Sequence, residues 1–324
     1  MTRITSLHGN GARSTHELIQ KVFLPELNND LLSPHDAAEL FWNKKDLIIT
    51  TDAHVIDPLF FPGGDIGKLS ICGVVNDLLT RGGRPLYMSV SFIIEEGLAI
   101  EELRKIIESM AIELRKNEIK LVCADTKVIP ARGNPGIFIN STLIGERINC
   151  DFVFKKPLPG DRVYLNKTIA EHGLTLLIER EKLPFQGHLI SDCQSLYHPF
   201  KNLFEQNIAL SYVRDCTRGG VATVAHELAN LFSLSIELFE SKIPVQKHVE
   251  AALQFLGLGS LEVANEGVLL IIAPEDSTIL EFYPNLIEIG MLKEKGAFPV
   301  TLSTSIGGHR ILPYPDHDQL PRIC

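Results

Sequence analysis

The chain has 324 residues, 45% of them apolar and 22% charged, which is the composition of a folded globular protein and predicts two domains. Its net charge of −9 excludes duplex nucleic acid as the main partner, because neutralising phosphates takes clustered Lys and Arg. The longest apolar run, residues 268–273, is far below the ~18 residues of a membrane span, and the opening Met1-Thr2-Arg3-Ile4 lacks the apolar stretch of a signal peptide, so a cytoplasmic protein with no membrane partner is expected.

In chain order, residues 46–51 predict a buried strand and 87–94 a longer, partly alternating one. Leu103, Ile106, Ile107, Met110 and Leu114 then recur at helical spacing, with Glu101, Glu102, Arg104, Lys105 and Glu108 on the opposite face. Residues 119–123 predict a second buried strand and 136–145 another alternating one. The Pro- and Gly-containing stretch 155–161 reads as a linker. In the second half, strands are predicted at 210–213, 235–239, 268–273, 286–289 and 300–303. A helix presents Val221, Val224, Ala225, Leu228 and Phe232 on one face. Both halves are therefore mixed α/β, with an expected division into 1–155, 156–310 and a mobile, proline-punctuated tail, 311–324.

Four features could carry chemistry. Asp52, Asp125 and Asp215 fall at the ends of predicted strands, with Asp36 and Asp77 placed to join them. Such carboxylates either form a rim that suits Mg²⁺ held together with phosphates or serve as turn formers and helix caps. The glycine-rich segments at 8–14 and 61–68 match neither a P-loop nor a dinucleotide fingerprint, and read as phosphate-wrapping or plain loops. Lys127 and Glu266 flank predicted strands, where a buried Lys–Glu pair would tune a general base and a solvated pair would do nothing. The six cysteines never form Cys-x-x-Cys, which excludes a disulfide scaffold and the usual zinc patterns. Five of them read as core residues, and Cys324 lies on the proline-stiffened tail, where a thiol has reach.

In order along the chain, His8-Gly9-Asn10-Gly11-Ala12-Arg13, the stretch from Pro58 to Leu69, and Val75-Asn76-Asp77-Leu78 resemble one family closely. Asp125-Thr126-Lys127-Val128, Phe138-Ile139-Asn140-Ser141-Thr142, the stretch from Arg214 to Gly220, Val263-Ala264-Asn265-Glu266-Gly267 and Pro321-Arg322-Ile323-Cys324 continue the match. The family is that of the hydrogenase maturation factors HypE, within the aminoimidazole ribonucleotide synthetase-like ATP-binding group. The sequence departs from it at Cys216, Ala12, Ala124 and His35, where the family has Pro, Gly, Gly and an acidic residue.

The resemblance implies two α/β domains of the aminoimidazole ribonucleotide synthetase type, normally in a homodimer. It implies ATP held mainly by the N-terminal domain through Gly11, Lys68, Asn76 and Thr126. Mg²⁺ would lie on Asp36, Asp52, Asp77, Asp125 and Asp215. It further implies that Cys324 receives a carbamoyl group from the carbamoyltransferase HypF. ATP then drives dehydration to a thiocyanate, with Glu266 as base and Lys127 orienting it, and cyanide passes to iron on a HypC–HypD complex. The alternatives are another ATP enzyme of the group, of selenophosphate synthetase or small-molecule kinase type, and a non-catalytic scaffold.

Overall fold

The structure, a computed structural model, describes residues 37–42, 45–131, 133–185, 189–304 and 306–316, together with positions 13, 16, 17, 20, 21 and 320. The first half holds β1 (Ala38–Trp42), β2 (Lys45–His54), the short β3 (Phe60–Phe61) and β4 (Gly64–Asp65), and helix α1 (Ile66–Thr80). It continues through β5 (Gly83–Glu95), α2 (Ile100–Lys116), β6 (Lys120–Ile129) and β7 (Ile137–Arg147). Five of these strands form a sheet in the order β1-β2-β7-β5-β6, antiparallel except at the β5/β6 edge.

Helix α1 starts where Asp65 accepts hydrogen bonds from the N–H groups of Gly67 and Lys68, which satisfies two of the helix's free donors. All its residues except Lys68 and Asp77 are buried, because it packs on β2, β5 and β7 on one side and on the second half of the chain on the other. A helix apolar all round suits that place. Helix α2 packs on α1 through Ile106 and Met110, and carries acidic residues in its first turn and basic ones in its last. Ile107, expected on the buried face, is 41% exposed.

The strand expected at 119–123 exists but runs over 120–129, and it is not buried. Leu121, Val122 and Val128 of β6 are 45%, 63% and 65% exposed. The reason is position: β6 is the outermost strand, and the helices cover the centre of the sheet.

The second half holds β8 (Arg162–Leu165), α3 (Glu171–Glu181), β9 (Tyr212–Asp215), α4 (Gly220–Phe232), β10 (Ser235–Phe239), α5 (Lys247–Leu256), β11 (Leu269–Ala273), β12 (Ile287–Lys293), β13 (Val300–Ser303) and β14 (His309–Ile311), besides five one-turn helices among the described residues, two of them 3-10. Its sheet runs β14-β13-β10-β12-β8-β11-β9, with β10/β13 the parallel pair. The apolar run at 268–273 becomes the wholly buried β11, between β8 and β9. Ile311 closes β14, and the next residues are anchored. Leu312 is buried, its carbonyl lies 2.9 Å from His226 Nε2, and the Tyr314 ring stacks on that of His226. Pro315 is buried as well, and so is Leu320. Among the described residues no helix is long and apolar enough to cross a membrane.

Candidate active site

The two halves meet along residues 189–196, a strap that crosses from the second half onto α1. Its first link is the hydrogen bond from Ser191 N–H to Pro62 O, 2.9 Å, at the β3–β4 turn. Gly63 makes that approach possible. Its φ is +102°, and a Cβ there would lie 2.8 Å from Ser191 O. Further along, Asn76 of α1 donates through Nδ2 to Gln194 O (3.0 Å) and Glu266 O (3.3 Å), and its Oδ1 accepts from Leu196 N–H (2.8 Å). The side chain expected to contact nucleotide thus spends its polar atoms joining the two halves.

Glu266 lies on the turn into β11. Its neighbour Asn265 fixes that turn, donating to Cys216 O and Val263 O and accepting from Ala170 N–H. Asp192 takes the next N–H groups: both its oxygens accept from Glu266 N–H, at 3.1 and 3.2 Å, and Oδ2 also accepts from Gly267 N–H at 2.9 Å. Gly267 must be glycine here, because a Cβ would stand 2.2 Å from Asp192 O.

Electrostatics single out the same spot. Burial pushes Glu266 well above the ordinary carboxylate range, and Asp192, Asp215, Asp52 and Cys72 push it further. Asp192 is pushed up to about 6, chiefly by burial, with Lys167 and the two N–H donors opposing. Burial would raise Asp52 too, but His54, Arg218 and the Ala53 N–H outweigh it and hold its carboxyl low. His54, with Nε2 3.2 Å from Asp52, is pushed down by burial against the pull of that carboxylate. The Cys193 thiol is raised by its hydrogen bond to Cys72 and by burial.

Of the residues expected from sequence, the structure brings Asp52, Asp215, Asn76 and Glu266 together. Asp77 sits in the last turns of α1, where Oδ2 accepts from Thr50 Oγ1 at 2.9 Å. Lys68 stands in the first turn of α1 and donates to Gly63 O at 2.7 Å. Asp125 does not end a strand. With Thr126 and Lys127 it lies in the middle of exposed β6, opposite Ser91, Phe92 and Ile93. Lys127 is not among the groups that act most strongly on Glu266 within one chain. Gly11, Asp36 and Cys324 lie outside the described residues. Asp192, His54 and Arg218 were not singled out as site residues by sequence. Asp192 sits in an aperiodic loop and carries no local signal, whereas Arg218 belongs to the stretch from Arg214 to Gly220.

Among the described residues no three His, Cys, Asp or Glu side chains are arranged to hold a metal by themselves. Mg²⁺ does not need such a cage, since it uses one or two carboxylates and completes its shell with water and phosphate oxygens. Asp52 and Asp215 are hard donors of that kind, and both act on Glu266.

Two mixed sheets joined across a buried helix, with a Gly-Gly-Asp turn at its start, define an AIR synthase-related protein. The family model described as AIR synthase related protein, N-terminal domain, matches residues 34–147, and the corresponding C-terminal domain matches 159–290. Carbamoyl dehydratase HypE of Cupriavidus necator is 37% identical over 99% of this chain and 95% of its own length. A HypE chain crystallised in a HypE–HypF complex superposes with a TM-score of 0.83 at 35% identity, covering 92% of this chain and 99% of that one. HypE crystallised with ATP gives 0.80 at 36% identity, covering 98% of both. The chain belongs to the HypE family of carbamoyl dehydratases.

Proposed function

We propose that this chain dehydrates a carbamoyl group carried on the Cys324 thiol, using ATP, and that Glu266 is the base. The carbonyl oxygen of a thiocarbamate is a poor leaving group. Transfer of the γ-phosphoryl group to it, with loss of one nitrogen proton, makes an imidate-like phosphate ester. The C–O bond then breaks, phosphate departs, and loss of the second nitrogen proton leaves S–C≡N. A carboxylate with raised proton affinity suits both deprotonations. Asp52 and Asp215 would hold a magnesium ion, which when bound offsets charge on the phosphates.

The observation that carries this reading is the setting of Glu266: buried, gripped at its N–H and its carbonyl, and with its proton affinity raised by burial and by the charges of Asp192, Asp215 and Asp52. A second observation concerns reach. Leu320 is buried against Gly173, whose N–H donates to Ala264 O two residues before Glu266. Cys324 follows Leu320 by four residues, a span of about 14 Å when extended.

The same reading takes HypF as carbamoyl donor, supported by the relative crystallised with HypF, and an iron-carrying HypC–HypD complex as cyanide acceptor in the cytoplasm. It divides the chain into an ATP-binding part, 1–155, a second domain, 156–310, and the carrier segment 311–324, and it makes Gly11, Lys68 and Thr126 nucleotide contacts and Asp36 a further metal ligand. It also takes the working form as a homodimer, supported by β6. A ten-residue edge strand with Leu121, Val122 and Val128 exposed is one that natural proteins cover. A second copy on that edge brings Asp125, Thr126 and Lys127 into a shared site. ATP turnover that rises on adding HypF and carbamoyl phosphate, and does not rise in Cys324→Ala, tests the function. Stimulation that survives in Cys324→Ala contradicts it.

A further inference from the structure

We infer that Asp192 is a positioning residue for the dehydration step, setting the place of the Glu266 carboxylate by holding the main chain on which it stands. This rests on the reading of Glu266 as base.

Asp192 is 4% exposed, and none of its described hydrogen bonds goes to a cationic side chain. Its carboxylate is spent on two consecutive N–H groups, those of Glu266 and Gly267. A buried carboxylate is an expensive way to satisfy two amide donors, because ionising it out of water works against folding. What the arrangement gives in return is geometric. With N–H 266 held by Asp192 and O 266 held by Asn76, the backbone on both sides of the Glu266 Cα is fixed. The side chain then leaves a rigid frame, with Asp52 and Asp215 among the charges that act on it. Gly267 lets the frame close, since its missing Cβ is what allows Asp192 O to approach. The anchor of Asp192 is itself tied on both sides. Ser191 N–H reaches Pro62 O, and Ser191 Oγ accepts from Cys193 N–H at 3.1 Å and contacts His172 Nδ1 at 2.7 Å.

The test is a double-mutant cycle on the full chain, reading the single-turnover rate of carbamoyl-to-thiocyanate conversion and, separately, ATP affinity. Asp192→Asn keeps shape but turns one acceptor into a donor facing an N–H. It should slow conversion by on the order of 10²-fold, the penalty of misplacing a reacting group by about 1 Å, with ATP affinity unchanged. In a Glu266→Gln background the same substitution should add no further slowing, because the group it positions is already gone. Asp192→Ser, which restores an oxygen acceptor, should recover part of the rate and covers the case in which the Asn variant fails to fold. Wild-type conversion by Asp192→Asn overturns the positioning role, as does slowing that multiplies in the Glu266→Gln background. Wild-type conversion by Glu266→Gln instead overturns the base assignment beneath it.

Discussion

Asn76 and Glu266 are 190 residues apart in sequence and joined by a 3.3 Å hydrogen bond from Nδ2 to the main-chain oxygen. One amide side chain on α1 thus links the first sheet to the turn that carries the candidate base, and the site exists only when the two halves are docked.

Replacing Asn76 by Ala should therefore cost stability in the absence of any ligand. It strands Gln194 O and Leu196 N–H in a buried junction, at roughly 1 kcal/mol or more apiece, or about 2 kcal/mol in all, and takes one of two donors from Glu266 O, which keeps Gln194 N–H. Urea unfolding of the free protein reads this directly. A midpoint within error of wild type would mean the three bonds carry no weight.

Gly67 faces Ile106 O so closely that an added Cβ would stand 2.2 Å from it. Main chain cannot swing aside as a flexible side chain does, so Gly67→Ala should push α2 off α1 and destabilise by about 2 kcal/mol. Thermal unfolding of the variant checks this, with an unchanged midpoint as the contrary result.

Asp192 has a pH signature. Its carboxyl titrates near 3.8 when unfolded and is pushed up to about 6 in the fold, so the folded state binds the extra proton between those values. Stability is then fully present below about pH 4 and falls as pH rises through about 6, by about 3 kcal/mol for this group. Asp192→Asn removes the titration. Its stability relative to wild type should climb across that window, and parallel profiles would contradict the assignment.

The dimer reading makes a sharper demand. If β6 of one copy serves the Glu266 site of another, mixing Lys127→Ala with Glu266→Gln, each strongly impaired alone, should restore part of the activity. Failure to recover any would mean that both residues act within one copy or that the dimer forms elsewhere. Val122→Glu, a charge placed on the exposed edge, should turn the dimer into monomers by light scattering.

Much of the fold was legible in the sequence because period and burial agree over long stretches. The strand at 46–51, the helical face of Ile106 and Met110, and the apolar run that became β11 all report burial within the chain. Residues 119–123 misled for the same reason. An apolar run reads as buried whether or not the chain itself covers it, and β6 lies uncovered at the edge of its sheet. In the site, Asp52, Asp215 and Glu266 were legible as carboxylates beside strands, although β2 runs on past Asp52 to His54. Asp192 was not. Its role depends on two N–H groups more than 70 residues away, and no local pattern encodes that.

Loss of the carbamoyl oxygen to ATP at the Glu266 site is read most directly from the mass of the peptide containing Cys324 after incubation with HypF, carbamoyl phosphate and ATP. The expected result is a carbamoyl adduct on Cys324 that converts, with ATP, to a species lighter by one water, and that converts far more slowly in Glu266→Gln. A carbamoyl adduct on another cysteine, or conversion undiminished in Glu266→Gln, would contradict it.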